Sequence, residues 1–392
     1  MCVRICYVAD VGNKISGGHQ SLINLIEEIR SKKVYPYVVS NKNWELIDYF
    51  KKTGIKTKVV RSRISSCTTR RKSIYIIFRI LSPVIHIYNK IRTIEAVRFL
   101  KKNKIDLVHM NSALSSDIWA VAARRLNIPY IIHIREFMDL DHGREFWDTS
   151  YTKKILQNAD LVIAISKSIK EYWDLKFSIN CHVIYNGLPI DRYKIPIADK
   201  FHSKICECII VGRIRNTKGQ LEAVQAIEKV IEMNKKNIHL SIIGYRGCDK
   251  QEAIVTSYVK EKRLEEFVTF EAFTYDVNSF RQKAHIGLTC STAEAFGRTT
   301  VENMLGGCVA IGSNTGGTPE LIQDGVNGFI YEKGNVEQLA NYIAYIMDHM
   351  NVAEQIAVAG QKDAEKFFSI VITAQKVFSE YNNLLDYKVS KV

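Results

Sequence analysis

Short, nearly unbroken apolar runs alternate along the chain with longer segments of helical period. In the first half the runs are 3–9 (VRICYVA), 37–39, 57–60, 106–110, 130–134, 160–166 and 181–185. Between them the spacing of apolar positions predicts helices near 18–31, 73–102, 113–126 and 167–175. A strand that is apolar along its whole length has both faces covered. Such strands, alternating with helices, predict a parallel sheet with helices on both sides. The pattern pauses over 187–204, which carries two prolines and little periodicity, and a linker is expected there. It restarts with runs at 206–212, 238–244, 267–273, 285–290, 308–313 and 327–332, again separated by helical segments. A last helical segment, 370–387, follows, with an apolar periodicity of its own. The expected fold class is α/β, with two Rossmann-like doubly wound domains, 1–186 and 205–369, facing across a cleft. Such sheets take ligands beyond the carboxyl ends of their strands.

Composition narrows this little. The 392 residues are 46% hydrophobic and 24% charged, with 6 prolines, which excludes a disordered or collagen-like chain. Apolar runs stop at about six residues, well short of the roughly 20 of a spanning helix. Asp10 comes too early for a signal peptide. The nine cysteines include no CxxC pair and mostly sit inside apolar runs. They read as reduced core thiols of a cytoplasmic protein, neither a disulfide framework nor a zinc site.

Charge does change the picture. The net charge is +14, and the excess is local. Before position 201 there are 34 basic and 18 acidic residues; after it, 21 and 23. The window 51–104 holds 16 basic residues and one acid, Glu95. An anionic partner is expected at that place. Within it, Ile74, Ile77, Leu81, Val84, Tyr88 and Ile91 recur at helical spacing among Arg70, Arg71, Lys72, Arg79, Lys90, Arg92 and Arg98, and Pro83 should break the helix. This suits an anionic membrane surface and a peripheral location on the inner face of the cell membrane. A core helix with a solvated basic face is the plainer alternative. Nucleic acid is not expected, because no aromatic interleaving or reading motif accompanies the charge.

Candidate chemistry gathers at strand ends. Gly17 and Gly18 lie between the first strand and a helix, where a backbone can approach an anion or simply turn tightly. VGRIRNTKGQ (211–220) places Arg213, Arg215 and Lys218 after a strand and before a helix, a setting for a diphosphate or a solvated loop. STAEAFGRTTVENMLGG (291–307) carries Glu294 and Glu302, with Phe296, Gly297, Arg298 and Thr299 at a helix start. A carboxylate accepts two hydrogen bonds from neighbouring hydroxyls, so Glu294 suits a sugar ring and Glu302 a ribose. Gly316-Gly317 precede Thr318-Pro319-Glu320, which reads as a helix cap and first turn, with Thr318 a candidate ligand. HIRE (133–136) ends a first-domain strand, making His133 and Glu136 candidates. Asp139-Leu140-Asp141 spells a DxD triplet, but no histidine or third carboxylate stands at metal spacing from it, and no metal site is expected.

Together GRIRNTKG, the Glu294 and Glu302 pair with seven residues between, and GGTPELIQDGVNGFI resemble the family 4 retaining glycosyltransferases of the GT-B fold. The likeness is dense over about 205–350 and thinner in Gly17-Gly18, HIRE and IYNGLPIDRY (184–193). It implies a nucleotide-sugar donor, UDP or GDP type, held mainly by the second domain, and a glycan or lipid-linked acceptor. Arg213 and Lys218 would neutralise the diphosphate, Glu294 would hold the donor sugar beside the Phe296 and Gly297 backbone, and Glu302 the ribose. His133 would lie near the donor sugar and Gly17 and Gly18 near the phosphates. The final helix would cross back onto the first domain, and no cofactor or metal would be needed. Arg298 departs from the small apolar residue often found there. A nucleotide-sugar epimerase, another enzyme of this fold, or a non-catalytic nucleotide-sugar sensor at the membrane are the alternatives.

Overall fold

The computed structural model describes residues 3–9, 14–63, 66–68, 72–115 and 117–389. Side chains at 66–68, 72, 142 and 387–389 lie outside that description. Fifteen strands occur in it. They are β1 (Val3–Val8), β2 (Val34–Ser40), β3 (Lys56–Val59), β4 (Ser66–Thr68), β5 (Leu107–Met110), β6 (Tyr130–Ile134), β7 (Arg144–Phe146), β8 (Leu161–Ala164) and β9 (His182–Val183). After these come β10 (Cys206–Val211), β11 (Ile238–Tyr245), β12 (Val268–Ala272), β13 (Ile286–Thr289), β14 (Val309–Ser313) and β15 (Phe329–Tyr331).

The chain divides into two compact units. Unit 1 comprises 1–187 with 370–392 and holds a seven-stranded sheet in the order β3-β2-β1-β5-β6-β8-β9. Every pairing in it is parallel. β4 and β7 form a separate antiparallel pair. Unit 2 comprises 188–369 and holds a six-stranded parallel sheet in the order β12-β11-β10-β13-β14-β15. In β5, β8, β13 and β14 every residue is buried, which is why these stretches read as unbroken apolar runs. Each sheet reverses its strand order once, between β1 and β5 and between β10 and β13. At such a reversal the connections leave in opposite directions and open a crevice beyond the carboxyl ends.

One expectation needs correcting. The expected linker is packed structure. Tyr193, Ile195, Ile197 and Phe201 are buried in unit 2, and the Lys200 ammonium donates to the carbonyls of Arg281, Gly306 and Gly307 at 2.8, 2.6 and 3.2 Å. Its two prolines hid the packing, because apolar residues that fill gaps between elements have no period. The helical stretch 73–102 is broken as Pro83 leads one to expect, into Lys72–Ile80 and Ser82–Lys102, parted at Leu81, with Pro83 in the first turn of the second. The helices Glu45–Lys52 and Thr149–Gln157 went unforeseen, since two turns are too few to show periodicity.

The helix Ile370–Val389 belongs to unit 1, where Ala374, Val377 and Tyr381 join the core formed by Ile5, Tyr7, Leu22 and Leu107. Six of the described cysteines are buried and Cys248 is exposed; none is bridged.

Candidate functional site

In unit 2 the expected residues converge at the strand reversal. β10 ends at Val211, and the chain passes through Gly212 and Arg213 to a short 3-10 turn, Asn216–Lys218, and Gly219. β13 ends at Thr289, and the following loop carries Ser291 and Glu294. The two loops touch: the Thr292 amide donates to the Thr217 carbonyl at 3.0 Å. Gly219, at φ +70°, lies so close to Cys290 that a Cβ would sit 2.0 Å from its carbonyl oxygen. Only glycine permits that approach.

The loop contact brings Lys218 to Glu294, Nζ to Oε2 at 2.7 Å, and Ser291 Oγ donates to the same oxygen at 2.9 Å. Burial acts to raise the Glu294 carboxyl pKa, but Lys218, Ser291 and the Gly297 amide outweigh it and hold the group below the usual carboxylate range. Glu294 is therefore an anion with fixed partners. Its carbonyl accepts from the Gly317 amide at 2.7 Å, and a Cβ on Gly316 would sit 2.1 Å from that carbonyl oxygen. Arg213, earlier on the β10 loop, is exposed and binds Asp249 at 2.8 Å.

The helix Arg298–Leu305 begins behind Gly297, which caps it at φ +101°. Phe296 is buried against Phe368, so its ring is not presented to a ligand. Glu302, expected on a ribose, already accepts from Arg281 at 2.6 Å and from Arg298 at 2.7 Å. Burial again acts to raise its pKa, and the two guanidinium groups bring it below the usual range. Arg298 also donates to the Tyr193 hydroxyl at 2.6 Å. Thr299 is half-buried on the same first turn. Thr318 is not the helix cap expected. Gly317 takes that position, and Thr318 is fully buried in a three-residue 3-10 turn, its methyl where a Cβ on Gly312 would fall. Its Oγ1 has no partner among the described residues.

In unit 1 His133 is fully buried on β6. Its Nδ1 lies 3.3 Å from His109 Nε2 and 3.2 Å from Arg135 Nη2. A guanidinium only donates, so Nδ1 is unprotonated and the ring proton sits on Nε2. The chain of bonds continues consistently. His109 Nε2–H donates to His133, and Tyr381 O–H donates to His109 Nδ1 at 2.6 Å. His133 Nε2 is left as a buried donor with no partner among the described residues. Burial, with the Arg135 charge second, pushes both imidazoles well down, His109 to about 3. Arg135 itself is held by Asn111 at 2.9 Å and Asn186 at 2.5 Å.

Glu136 is buried and accepts from Ser112 Oγ at 2.5 Å. Gly17 and Gly18 open the helix Gly17–Arg30, and neither has a positive φ. A Cβ on Gly18 would meet only Arg135 Cδ, at 3.7 Å, so space does not demand glycine there. Residues 10–13 of that turn lie outside the description. Asp139 is engaged by Tyr172 and Lys176, and Asp141 accepts from the Phe137 amide. Among the described residues no group of three or more His, Cys, Asp or Glu could hold a metal.

Sequence reasoning missed Arg281, Tyr193, Ser291, His109, Tyr381 and Arg135. For Arg135 the signal was present: a strand's two-residue period puts 133 and 135 on one side.

Known proteins resemble this chain along both units. The family described as glycosyl transferases group 1 matches residues 200–363, and that described as glycosyltransferase family 4 matches 15–192. An uncharacterized glycosyltransferase of Methanocaldococcus jannaschii is 25% identical over 310 residues, 78% of this chain and 83% of that protein. A capsular polysaccharide biosynthesis glycosyltransferase of Staphylococcus aureus is 25% identical over 237 residues, 57% of this chain and 62% of its own. The crystal structure of Anabaena HepE in complex with UDP matches with a TM-score of 0.79 at 20% identity, over 98% of this chain and 100% of that one. Two family matches that together span both units, and a shared two-sheet architecture, make this chain a family 4 glycosyltransferase of the GT-B fold.

Proposed function

We propose that the protein moves a sugar from a nucleoside diphosphate sugar to a hydroxyl of a glycan or lipid-linked acceptor, with retention of anomeric configuration, in building a surface polysaccharide or glycolipid. The observation that carries this is the Lys218–Glu294 pair, 2.7 Å apart at the β10/β13 reversal, with Arg213 earlier on the same β10 loop. Arg213 and Lys218 would exchange Asp249 and Glu294 for the donor diphosphate. Glu294, so released, would accept from the sugar hydroxyls beside the Phe296 and Gly297 backbone. Glu302 retains lone pairs for a ribose while Arg281 and Arg298 hold it in place.

In the transfer, the bond from the anomeric carbon to the diphosphate oxygen breaks and the acceptor oxygen bonds that carbon from the same face. The acceptor proton leaves on the departing phosphate. Charge grows on the leaving group, and the two cations stabilise it there. His133, with its proton fixed on Nε2, would donate to a substrate oxygen and could not serve as a base. The capsule-building Staphylococcus relative supports a polysaccharide acceptor. HepE, crystallised with UDP and with UDP-glucose, makes UDP the first nucleotide to test.

Calorimetric titration of the wild type and Arg213→Ala with UDP and GDP tests this reading. One nucleotide should bind, and the variant should bind it at least about tenfold more weakly, as expected for a lost charge-assisted contact. If neither nucleotide binds the wild type, the reading fails.

A further inference from the structure

The helix Ser82–Lys102 is turned inside out. Its inward side is only partly apolar, with Asn89, Thr93, Ala96 and Leu100 buried. Asn89 fastens that side to the chain by pairing with both the N–H and the C=O of Arg63, at 3.0 and 2.9 Å. The outward side carries Val84, Ile87, Ile91 and Ile94 at the three-to-four-residue spacing of one helical face. Ile87 and Ile91 keep 62% and 60% of their surface. The preceding helix, Lys72–Ile80, adds Ile76 and Ile80, exposed by 55% and 71%. Nine large apolar side chains between 76 and 94 stand in solvent in this way. Scattered exposed isoleucines are ordinary, but a continuous stripe marks a surface that something covers.

Charge identifies the occupant. Beyond Ile94 the same face passes to Arg98 and Lys102, and Arg79 and Lys90 are exposed beside the stripe. The only acid in the segment, Glu95, is neutralised by Lys58 and Arg92, each at 2.7 Å. Arg70 and Arg71 lie outside the described residues. A second copy of this chain would bury the apolar stripe but would set basic flank against basic flank. A nucleic acid would meet the charge but leave the apolar stripe unmatched. An anionic bilayer satisfies both, with apolar side chains sunk at the headgroup boundary and cations on lipid phosphates. No single helix among the described residues is long and apolar enough to cross a membrane. The two helices pass that test only together, and they are bent by 61° at their junction. A short helix and a long one joined at that angle can follow a surface. We propose that residues 73–102 dock the protein on an anionic membrane surface. This goes beyond the transferase reading and does not rest on it.

Flotation with vesicles of phosphatidylcholine alone, or with 30% phosphatidylglycerol, tests it, at low and high salt. The wild type should float with the anionic vesicles only, and high salt should release most of it. Ile87→Glu with Ile91→Glu should cut partitioning about tenfold or more, since it removes buried area and adds repulsion. Both sites are exposed, so the variant should keep the wild-type melting temperature, and Lys90→Glu with Arg98→Glu gives a second reading. Nucleotide affinity measured on the same samples reports the donor site separately. A wild type that stays unbound with anionic vesicles overturns the proposal. So do glutamate variants that still float, or a vesicle-free dimer that the glutamate variants dissociate.

Discussion

Arg135 shows how one side chain can set the protonation of several others. It has five N–H donors and no acceptor, so it dictates that His133 is bare at Nδ1, and the order runs back through His109 to Tyr381. Both imidazoles are buried and neutral, with pKa values depressed by burial first and by Arg135 next. In the unfolded chain each would titrate near 6.5. The folded state therefore binds fewer protons below that pH, and stability is lost as pH falls from about 6.5 toward the folded values. The slope is about 1.4 kcal/mol per histidine per pH unit. His133→Gln removes one such group. Between pH 6 and 5 its urea-unfolding free energy should fall about 1.2 kcal/mol less than that of the wild type. Equal slopes would mean that His133 is not held neutral. Little of this was legible beforehand. HIRE and YNG stood out as segments, but a network that joins residue 109 to 133, 381 and 186 depends on the sheet bringing strands together, and no local spacing encodes it. Glu294 and Lys218 were legible because each lies at a strand end, where a short sequence window already fixes the setting.

At the level of elements, the site is held by close backbone approaches that side chains would prevent. Gly219 and Gly54 make the contrast. Both have positive φ, +70° and +75°, but a Cβ on Gly219 would overlap the Cys290 carbonyl, whereas nothing lies within 4 Å of one on Gly54. Gly54→Ala should then cost only the conformational penalty, about 1–2 kcal/mol. Gly219→Ala must in addition push the β10 and β13 loops apart, and should cost about 3 kcal/mol or more and separate Lys218 from Glu294. Denaturant melts of the two variants check this, and similar losses would show that the loops yield easily. The strands of both sheets were readable because continuous apolar runs belong to strands covered on both faces. The short elements were not. β4, β7 and the helices Glu45–Lys52 and Thr149–Gln157 carry too few apolar positions to display a period. The helix Ser82–Lys102 was legible in extent and in its break, but which side faced inward was not, since its buried face holds Asn89 and Thr93.

In the whole molecule, the chain leaves unit 1 after Gly187 and returns to it at Ile370. Leu188 and Phe368, joined by a 2.8 Å backbone bond, lie at these two passages. Unit 2 is thus one continuous stretch, while unit 1 is closed by a helix from the far end of the sequence. A chain cut after residue 369 should keep a cooperative unit 2 but lose Ala374, Val377 and Tyr381 from the core of unit 1. Hydrogen exchange of that shortened chain should show β1 and β5 unprotected and β10 and β13 protected; protection throughout would show that the helix is dispensable. The order of synthesis follows from the same layout. Tyr381 leaves the ribosome 272 residues after its partner His109. At about 5–20 residues per second, unit 1 waits roughly 10–40 s beyond its own last strand for its closing helix. Unit 2, though made later, has all of its residues first. Throughout that wait the earlier half of the newborn chain lacks Ala374, Val377 and Tyr381 from its core and leaves apolar surface open to aggregation.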